Sequence, residues 1–552
     1  MSKLELAKID EFSRRSGPLV FIIMDGVGLG PQNEYNAYYL ADTPYIDKIQ
    51  QESPQKDLYT ELKAHGTAVG LPTDNEMGNS EVGHNAFGSG RMIKQRATLA
   101  KEAIFSKSLF EMKKWTHFTN MINKNNKTLH YIGLLSDGYV HSHIDHLIGL
   151  LHGAKNSQIE RLFVHPLLDG RDVPSQSALE YIDILEKELK KINDETGYTY
   201  RIGSGGGRMR VTMDRYKSDW DVVQRGWEAH VCGIPEKYPG YKGYFKSAER
   251  AITSARQLED EISDQYLPSF VIVNEAKFPI GKMENGDGVL FFNFRGDRAI
   301  QISRAFDEDN FSAFDKKCDP NVEYYGLLEY DKQAHIPEKY FIEPPKIDDP
   351  ITKYLCAEKV SQFATAETHK YGHVTYFWNG NNEGYICKDY EKYVEIESDP
   401  SEMIEENPKM KAYEVKDEVL KALNSEEFTF LRVNFANGDM VGHTGNIESS
   451  KIAIETVDEC VKEVVEKVSE LGGVSIITAD HGNLEDMSPE WETSHTCNPV
   501  MFSIVDPKYD GEYIIREDIE QPALGNVAAT ILNLLGYEKP EGFFDSLLKF
   551  RI

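Results

Sequence analysis

Residues 18–28 read PLVFIIMDGVG. The run is apolar and largely β-branched or aromatic from Leu19 to Met24, then stops at Asp25 and a glycine turn. A strand with one wet face alternates polar and apolar residues. A short continuous apolar run bounded by Pro and Gly suits a strand covered on both faces, as in a parallel sheet flanked by helices. Residues 129–135, 162–168, 270–273, 289–294, 374–378, 428–435, 475–478 and 500–505 share this character and are expected as strands. Between them, residues 178–192 and 450–471 repeat apolar side chains at three- and four-residue steps, with Glu and Lys on the other face. The alternation predicts an α/β protein.

The chain has 552 residues and a net charge of −29. So acidic a balance disfavours nucleic-acid binding through phosphate contacts. With 40% hydrophobic and 11% aromatic residues the chain can fill a packed core, which excludes wholesale disorder. Its apolar runs are far short of the roughly 20 residues that span a bilayer. Residues 1–12 carry no apolar signal core, and residues 547–552 are not a peroxisomal signal. Six cysteines, none in a C-x-x-C, are expected as reduced thiols of a cytoplasmic protein. The proline-rich stretch 336–350 and the region 90–97 read as crossing points, so that both ends of the chain build one domain and the middle is inserted in it.

Several expected strands end in residues able to bind metal. Asp25 follows the first strand, and Asp439 and His443 follow residues 428–435. Asp480 and His481 follow 475–478, and His495 lies in TSHTCNPV. Ligands of open α/β sheets bind at the carboxyl ends of strands. Carboxylate and imidazole together suit Mn²⁺, Co²⁺ or Zn²⁺, and Mg²⁺ less well. A lone Asp at a strand end also serves as a turn or N-cap residue, and Asp439 with His443 also suits a surface ion pair. In EMGNSEVGHNAFGSGR, Ser80 lies between Gly78 and Gly83 where a turn enters a helix, a place suited to phosphate and equally to a plain N-cap. Arg171, Arg208, Arg215, Arg295 and Arg298 follow apolar runs or glycines, where guanidinium groups converge on phosphate or carboxylate. GSGGGR is not a P-loop, since no G-K-[ST] follows.

From residue 20 nearly to the end, the motifs IIMDGVG, EMGNSEVGHNAFGSGR, LLSDGYVHSH, LLDGRDVP, GGGRMRVTMDRY, FFNFRGDRA, AETHKYGHVTYFWNG, NFANGDMVGHTG, ITADHGN and TSHTCNPV resemble, in order and spacing, the cofactor-independent phosphoglycerate mutases of the alkaline phosphatase superfamily. The resemblance implies an alkaline-phosphatase-like parallel-sheet domain over 1–95 and 346–552, with an inserted α/β transferase domain over 96–345. It implies two divalent metals, manganese or cobalt before magnesium or zinc. Asp439, His443 and His495 match the ligands of one, and Asp25, Ser80, Asp480 and His481 those of the other. Ser80 matches the nucleophile and Lys370 a phosphate-side lysine. Arg295 and Arg298 match phosphate-contacting arginines. His141, Arg171, Asp172, Arg208 and Arg215 match glycerate-holding residues. Two departures stand out: Tyr139 replaces a glycine common before His141, and the spacing in GGGRMRVTMDRY makes Arg208 a better match than Arg210.

The implied reaction interconverts 3- and 2-phosphoglycerate in glycolysis and gluconeogenesis through phospho-Ser80. No bisphosphoglycerate is needed, Asp172 shuttles protons and His141 assists. The alternatives are a metal-dependent phosphatase or another phosphomutase of the superfamily, and a non-catalytic binding protein on a decayed scaffold. The expected partner is a small-molecule substrate, with no nucleic acid and no membrane, and the chain is expected as a monomer.

Overall fold

The computed structural model describes residues 4–51, 58–214, 219–259, 261–332, 334–345, 347–400, 403–491 and 493–551. Arg215 lies outside the described residues. The chain forms two compact units: Met1–Gln95 with Lys346–Ile552, and Arg96–Pro345.

The first unit is built on a seven-stranded sheet among the described residues. Its order is Glu391–Ile396, Gln362–Glu367, Phe430–Phe435, Leu19–Met24, Val474–Thr478, Val500–Val505 and Tyr59–Leu62. The first five strands are parallel. Leu19–Met24 lies among them, and all six of its side chains are buried, each worth about 1.5–3 kcal/mol relative to exposure. On one face Phe21 meets Phe87 of the helix Ser80–Ser89 at 5.1 Å and Trp378 at 5.7 Å. The long helix Ile447–Glu470 buries Ile454, Val457, Val461, Val464 and Val468 along one stripe.

Two strand expectations need correction. Val500–Val505 is a strand, but it runs against its neighbours on both sides. A continuous apolar run reports burial and not direction. Residues 374–378 are not a strand: the helix Thr368–Gly372 continues into a π-helical turn, His373–Phe377. Val374 and Trp378, four apart and both fully buried, share one helical face.

The second unit has its own sheet, in which Tyr340–Ile342, Glu323–Leu328, Gly288–Phe291, Leu129–Leu135 and Arg161–Leu168 run parallel. Ser204–Gly207 pairs parallel with Arg161–Leu168 and antiparallel with Phe270–Ile272. The expectation of six free thiols also fails. Cys232 is bonded to Cys318 and Cys356 to Cys387, leaving Cys460 and Cys497 free. The partners lie 86 and 31 residues apart in sequence, so only the fold brings them together. Among the described residues no helix is long and apolar enough to cross a membrane.

Candidate active site

In the first unit the carboxyl ends of four adjacent parallel strands converge. Asp25 follows Leu19–Met24, Lys370 follows Gln362–Glu367, Asp439 follows Phe430–Phe435, and Asp480 and His481 follow Val474–Thr478. Ser80 opens the helix Ser80–Ser89, whose N-cap is Asn79, its side chain accepting from the Val82 amide at 3.1 Å. The capping duty is therefore not Ser80's, and its hydroxyl turns to the strand ends. Ser80 Oγ lies 3.2 Å from Asp25 Oδ1, 2.6 Å from Lys370 Nζ and 3.0 Å from His481 Nε2. Lys370 Nζ also donates to Asp25 at 2.7 Å and Asp439 at 2.5 Å.

Asp439 Oδ1, His443 Nε2 and His495 Nε2 form a triangle with sides of 3.0–3.1 Å. Neighbouring donors on an ion with bonds of about 2.1 Å are spaced by about 3 Å. Asp25, Asp480 and His481 form a second group, as do Asp439, His481 and His495, each with its donor atoms within 4.8 Å of one another. The rings are tied so that their Nε2 atoms are the ones turned inward. His443 Nδ1 lies 2.6 Å from the Thr493 carbonyl, His495 Nδ1 2.8 Å from that of Gly78, and His481 Nδ1 3.2 Å from that of Gly482. A backbone carbonyl on the outer nitrogen fixes the proton there and bares the inner one, the usual outer shell of a metal-binding histidine. The residues present thus fit divalent metal. For Asp25, Asp439, Lys370, His443 and His481 burial opposes the charge and is overcome by neighbours. Lys370 holds Asp25 and Asp439 well below the carboxylate range, and those aspartates push Lys370 up. Asp480 and Asp25 push His481 up to about 10. Burial and His481 hold His495 down, and the Asp439 carboxylate raises His443 against burial.

In the second unit a separate group gathers at strand ends. Arg208 follows Ser204–Gly207 and is 1% exposed. Its Nη1 donates to Asp169 Oδ1 at 2.8 Å and to Asp172 Oδ2. Burial raises Asp172 above the usual carboxylate range against the pull of Arg208. His141 is buried with Nδ1 3.7 Å from Asp297, which also accepts from Arg295 Nε at 3.0 Å. Arg171 and Arg295 are exposed, while Arg298 is buried and donates to the Met213 carbonyl at 2.7 Å. Tyr139 has φ 55°, the left-handed region where glycine is at ease, and its ring packs on His143 at 4.1 Å.

The model of the metalloenzyme superfamily matches residues 17–539. A probable 2,3-bisphosphoglycerate-independent phosphoglycerate mutase of Leptospira interrogans is 44% identical, with 98% of both chains covered. The enzyme of that name from Trypanosoma brucei is 42% identical, with 99% of both covered. A crystal structure of Leishmania mexicana phosphoglycerate mutase at low cobalt concentration matches 99% of this chain and 100% of its own, with TM-score 0.78 and 40% identity. The chain belongs to the 2,3-bisphosphoglycerate-independent phosphoglycerate mutases. It is an enzyme of the glycolytic interconversion of 3- and 2-phosphoglycerate, and it depends on divalent metal.

The Ser80 cluster has supports that no motif announces. Asn434 donates to Asp25 Oδ2 at 2.7 Å, and Asn483 donates to Asp439 Oδ1 at 3.1 Å. His84 Nδ1 lies 2.9 Å from the Ser80 carbonyl and 3.2 Å from Asp480 Oδ2. Buried Glu485 accepts from the amides of Gly28 and Asn483 at 2.9 and 2.7 Å, tying two site loops together. The Ser80 helix sits close against the strand end: a Cβ on Gly83 would lie 2.8 Å from both the Cβ and the carbonyl of Asp480. Gly83→Ala must move Ser80 away from its neighbours. We expect kcat/KM to fall about 10²-fold in an enolase-coupled assay, with the circular-dichroism spectrum retained. Unchanged kcat/KM would show that this close approach does not position Ser80.

Proposed function

We propose that this chain isomerises phosphoglycerate by passing the phosphoryl group through Ser80, with two divalent ions in the first unit and the glycerate held by the second. The observation that carries the reading is the focus of Asp25, Lys370 and His481 on one hydroxyl at a helix start. Asp439, His443 and His495 would hold one ion, and Asp25, Ser80, Asp480 and His481 the other, manganese or cobalt before magnesium or zinc. When bound, such ions lower the pKa of a nearby hydroxyl and neutralise phosphoryl charge.

Ser80 gives up its hydroxyl proton before the substrate arrives, and its Oγ bonds to phosphorus as the bond from phosphorus to the substrate O3 breaks. Lys370 offsets charge on the phosphoryl oxygens, as do Arg295 and Arg298. Departing O3 takes a proton from Asp172, whose raised pKa suits it to hold one. His141, Arg171, Arg208 and Arg215 keep the glycerate, and its O2 then turns to the phosphoserine. O2 gives its proton to Asp172 as it bonds to phosphorus, and Ser80 is released. Protons and phosphoryl group balance over the cycle, so no bisphosphoglycerate is consumed. The enzyme works as a cytoplasmic monomer with a small-molecule substrate and neither nucleic acid nor membrane.

The test starts with chelator-stripped protein, 3-phosphoglycerate and no bisphosphoglycerate. Activity should be absent, then return with Mn²⁺ or Co²⁺ as 2-phosphoglycerate with little free phosphate. Free phosphate as the main product would replace the mutase reading with a phosphatase.

A further inference from the structure

Five buried side chains of the second unit make a path that the reaction above does not use. Asp287 Oδ2 lies 3.4 Å from His130 Nε2, and His130 Nδ1 lies 3.0 Å from His165 Nε2. His165 Nδ1 lies 2.6 Å from Ser204 Oγ, and Ser204 Oγ 2.8 Å from His230 Nδ1. His230 Nε2 lies 3.1 Å from Thr212 Oγ1. All three histidines, Ser204 and Thr212 are at most 1% exposed.

The protons on this path are determined by its end. Asp287 accepts from the Thr128 amide at 2.9 Å and the Glu284 amide at 2.8 Å, and it is held below the usual carboxylate range against burial by His130. A carboxylate only accepts, so His130 carries its proton on Nε2 and its Nδ1 is bare. His165 therefore donates from Nε2, which bares its Nδ1 to the Ser204 hydroxyl. Ser204 in turn accepts from His230 Nδ1, and bare His230 Nε2 takes the Thr212 hydroxyl proton. Every neutral imidazole uses one donor and one acceptor, with none left over. Burial agrees, pushing His165 down and His230 to about 3. The opposite polarity requires a buried imidazolium at His130.

The far end of the path is the stretch that carries Arg208. Thr212 has φ 72°, a costly conformation for a β-branched residue. It is held there by its amide on the Val222 carbonyl at 2.8 Å and by its hydroxyl on His230. We propose that Asp287, His130, His165, Ser204 and His230 form a one-directional hydrogen-bond relay that holds Thr212, and with it residues 208–214, in the pose that receives the substrate. These are positioning residues, and the proposal rests on the reading that Arg208 holds glycerate.

The test is ¹⁵N-imidazole NMR of the full chain, with steady-state kinetics of four variants. Protons on His130 Nε2, His165 Nε2 and His230 Nδ1 are expected. The reverse pattern, or a doubly protonated ring, overturns the relay whatever the kinetics show. Thr212→Val and Ser204→Ala should each raise KM for 3-phosphoglycerate about tenfold while kcat changes less than threefold, because the loop is displaced and the phosphoryl site is not. In Ser204→Ala the His230 proton should also divide between its two nitrogens, and Thr212→Ser should restore KM. Unchanged KM in Thr212→Val, with the wild-type tautomers confirmed, overturns the positioning role. If Arg208→Lys leaves KM unchanged, the glycerate reading fails while the tautomer pattern stands.

Discussion

Ser80→Ala should lower mutase turnover by about 10⁴-fold or more, the scale on which loss of a covalent nucleophile is felt. The substitution removes one oxygen and little else. The helix keeps its cap, because Asn79 and not Ser80 accepts the Val82 amide. Asp25, Asp439 and Lys370 keep their mutual ion pairs. The variant should therefore fold, bind metal by way of the remaining donors, and form no phosphoenzyme in a rapid-quench experiment with phosphate-labelled substrate. Turnover within tenfold of the wild type would remove Ser80 from the mechanism.

Arg208→Ala should have the largest combined effect on stability and activity in the second unit. The guanidinium is 1% exposed and bonds both Asp169 and Asp172. Removing one partner of a buried pair leaves a charge with nothing to offset its lost hydration, at a cost of about 3–5 kcal/mol. Asp169 would retain the Ser136 hydroxyl at 2.6 Å, whereas Asp172 would rise further in pKa. Arg208→Lys should recover much of the thermal stability without the two-pronged grip on carboxylate, leaving KM for 3-phosphoglycerate raised. A melting temperature for Arg208→Ala equal to that of the wild type would show that this pair does not hold the loop.

The fold class was legible because fully buried strands write a simple pattern. Residues 129–135 and 500–505 are strands with those limits. The pattern is silent on strand direction, hence the misplaced polarity of Val500–Val505. It is equally silent on short runs: Val374–Trp378 satisfies a buried strand and a buried helical turn alike. Asp25, Ser80, Asp439, His443, Asp480 and His481, all expected at the metal site, come together because each stands at or just past a strand or helix end, where sequence position translates directly into location, while His495 joins them from a loop. The site's supports did not stand out for the opposite reason. Asn434 lies within a strand, and Glu485 and Asn483 lie in a loop. Their roles depend on which groups the fold sets beside them: a carboxylate for Asn434 and Asn483, and backbone amides for Glu485. The disulfide partners were hidden in the same way, since their separation in sequence says nothing of their separation in space.

The Leu19–Met24 strand has a consequence for synthesis. Its two neighbours in the sheet, Phe430–Phe435 and Val474–Thr478, are made more than 400 residues later. At about 5–20 residues per second, the ribosome leaves this fully apolar ribbon without a partner for roughly 20–80 s. Arg96–Pro345 is continuous and meets no such delay, so it can collapse while the N-terminal segment waits. The emerging chain thus presents an orphan hydrophobic strand tethered to an already folded body, a natural client for a chaperone that shields apolar segments. The cluster of Asp439, His443 and His495 can be completed only when His495 has left the exit tunnel.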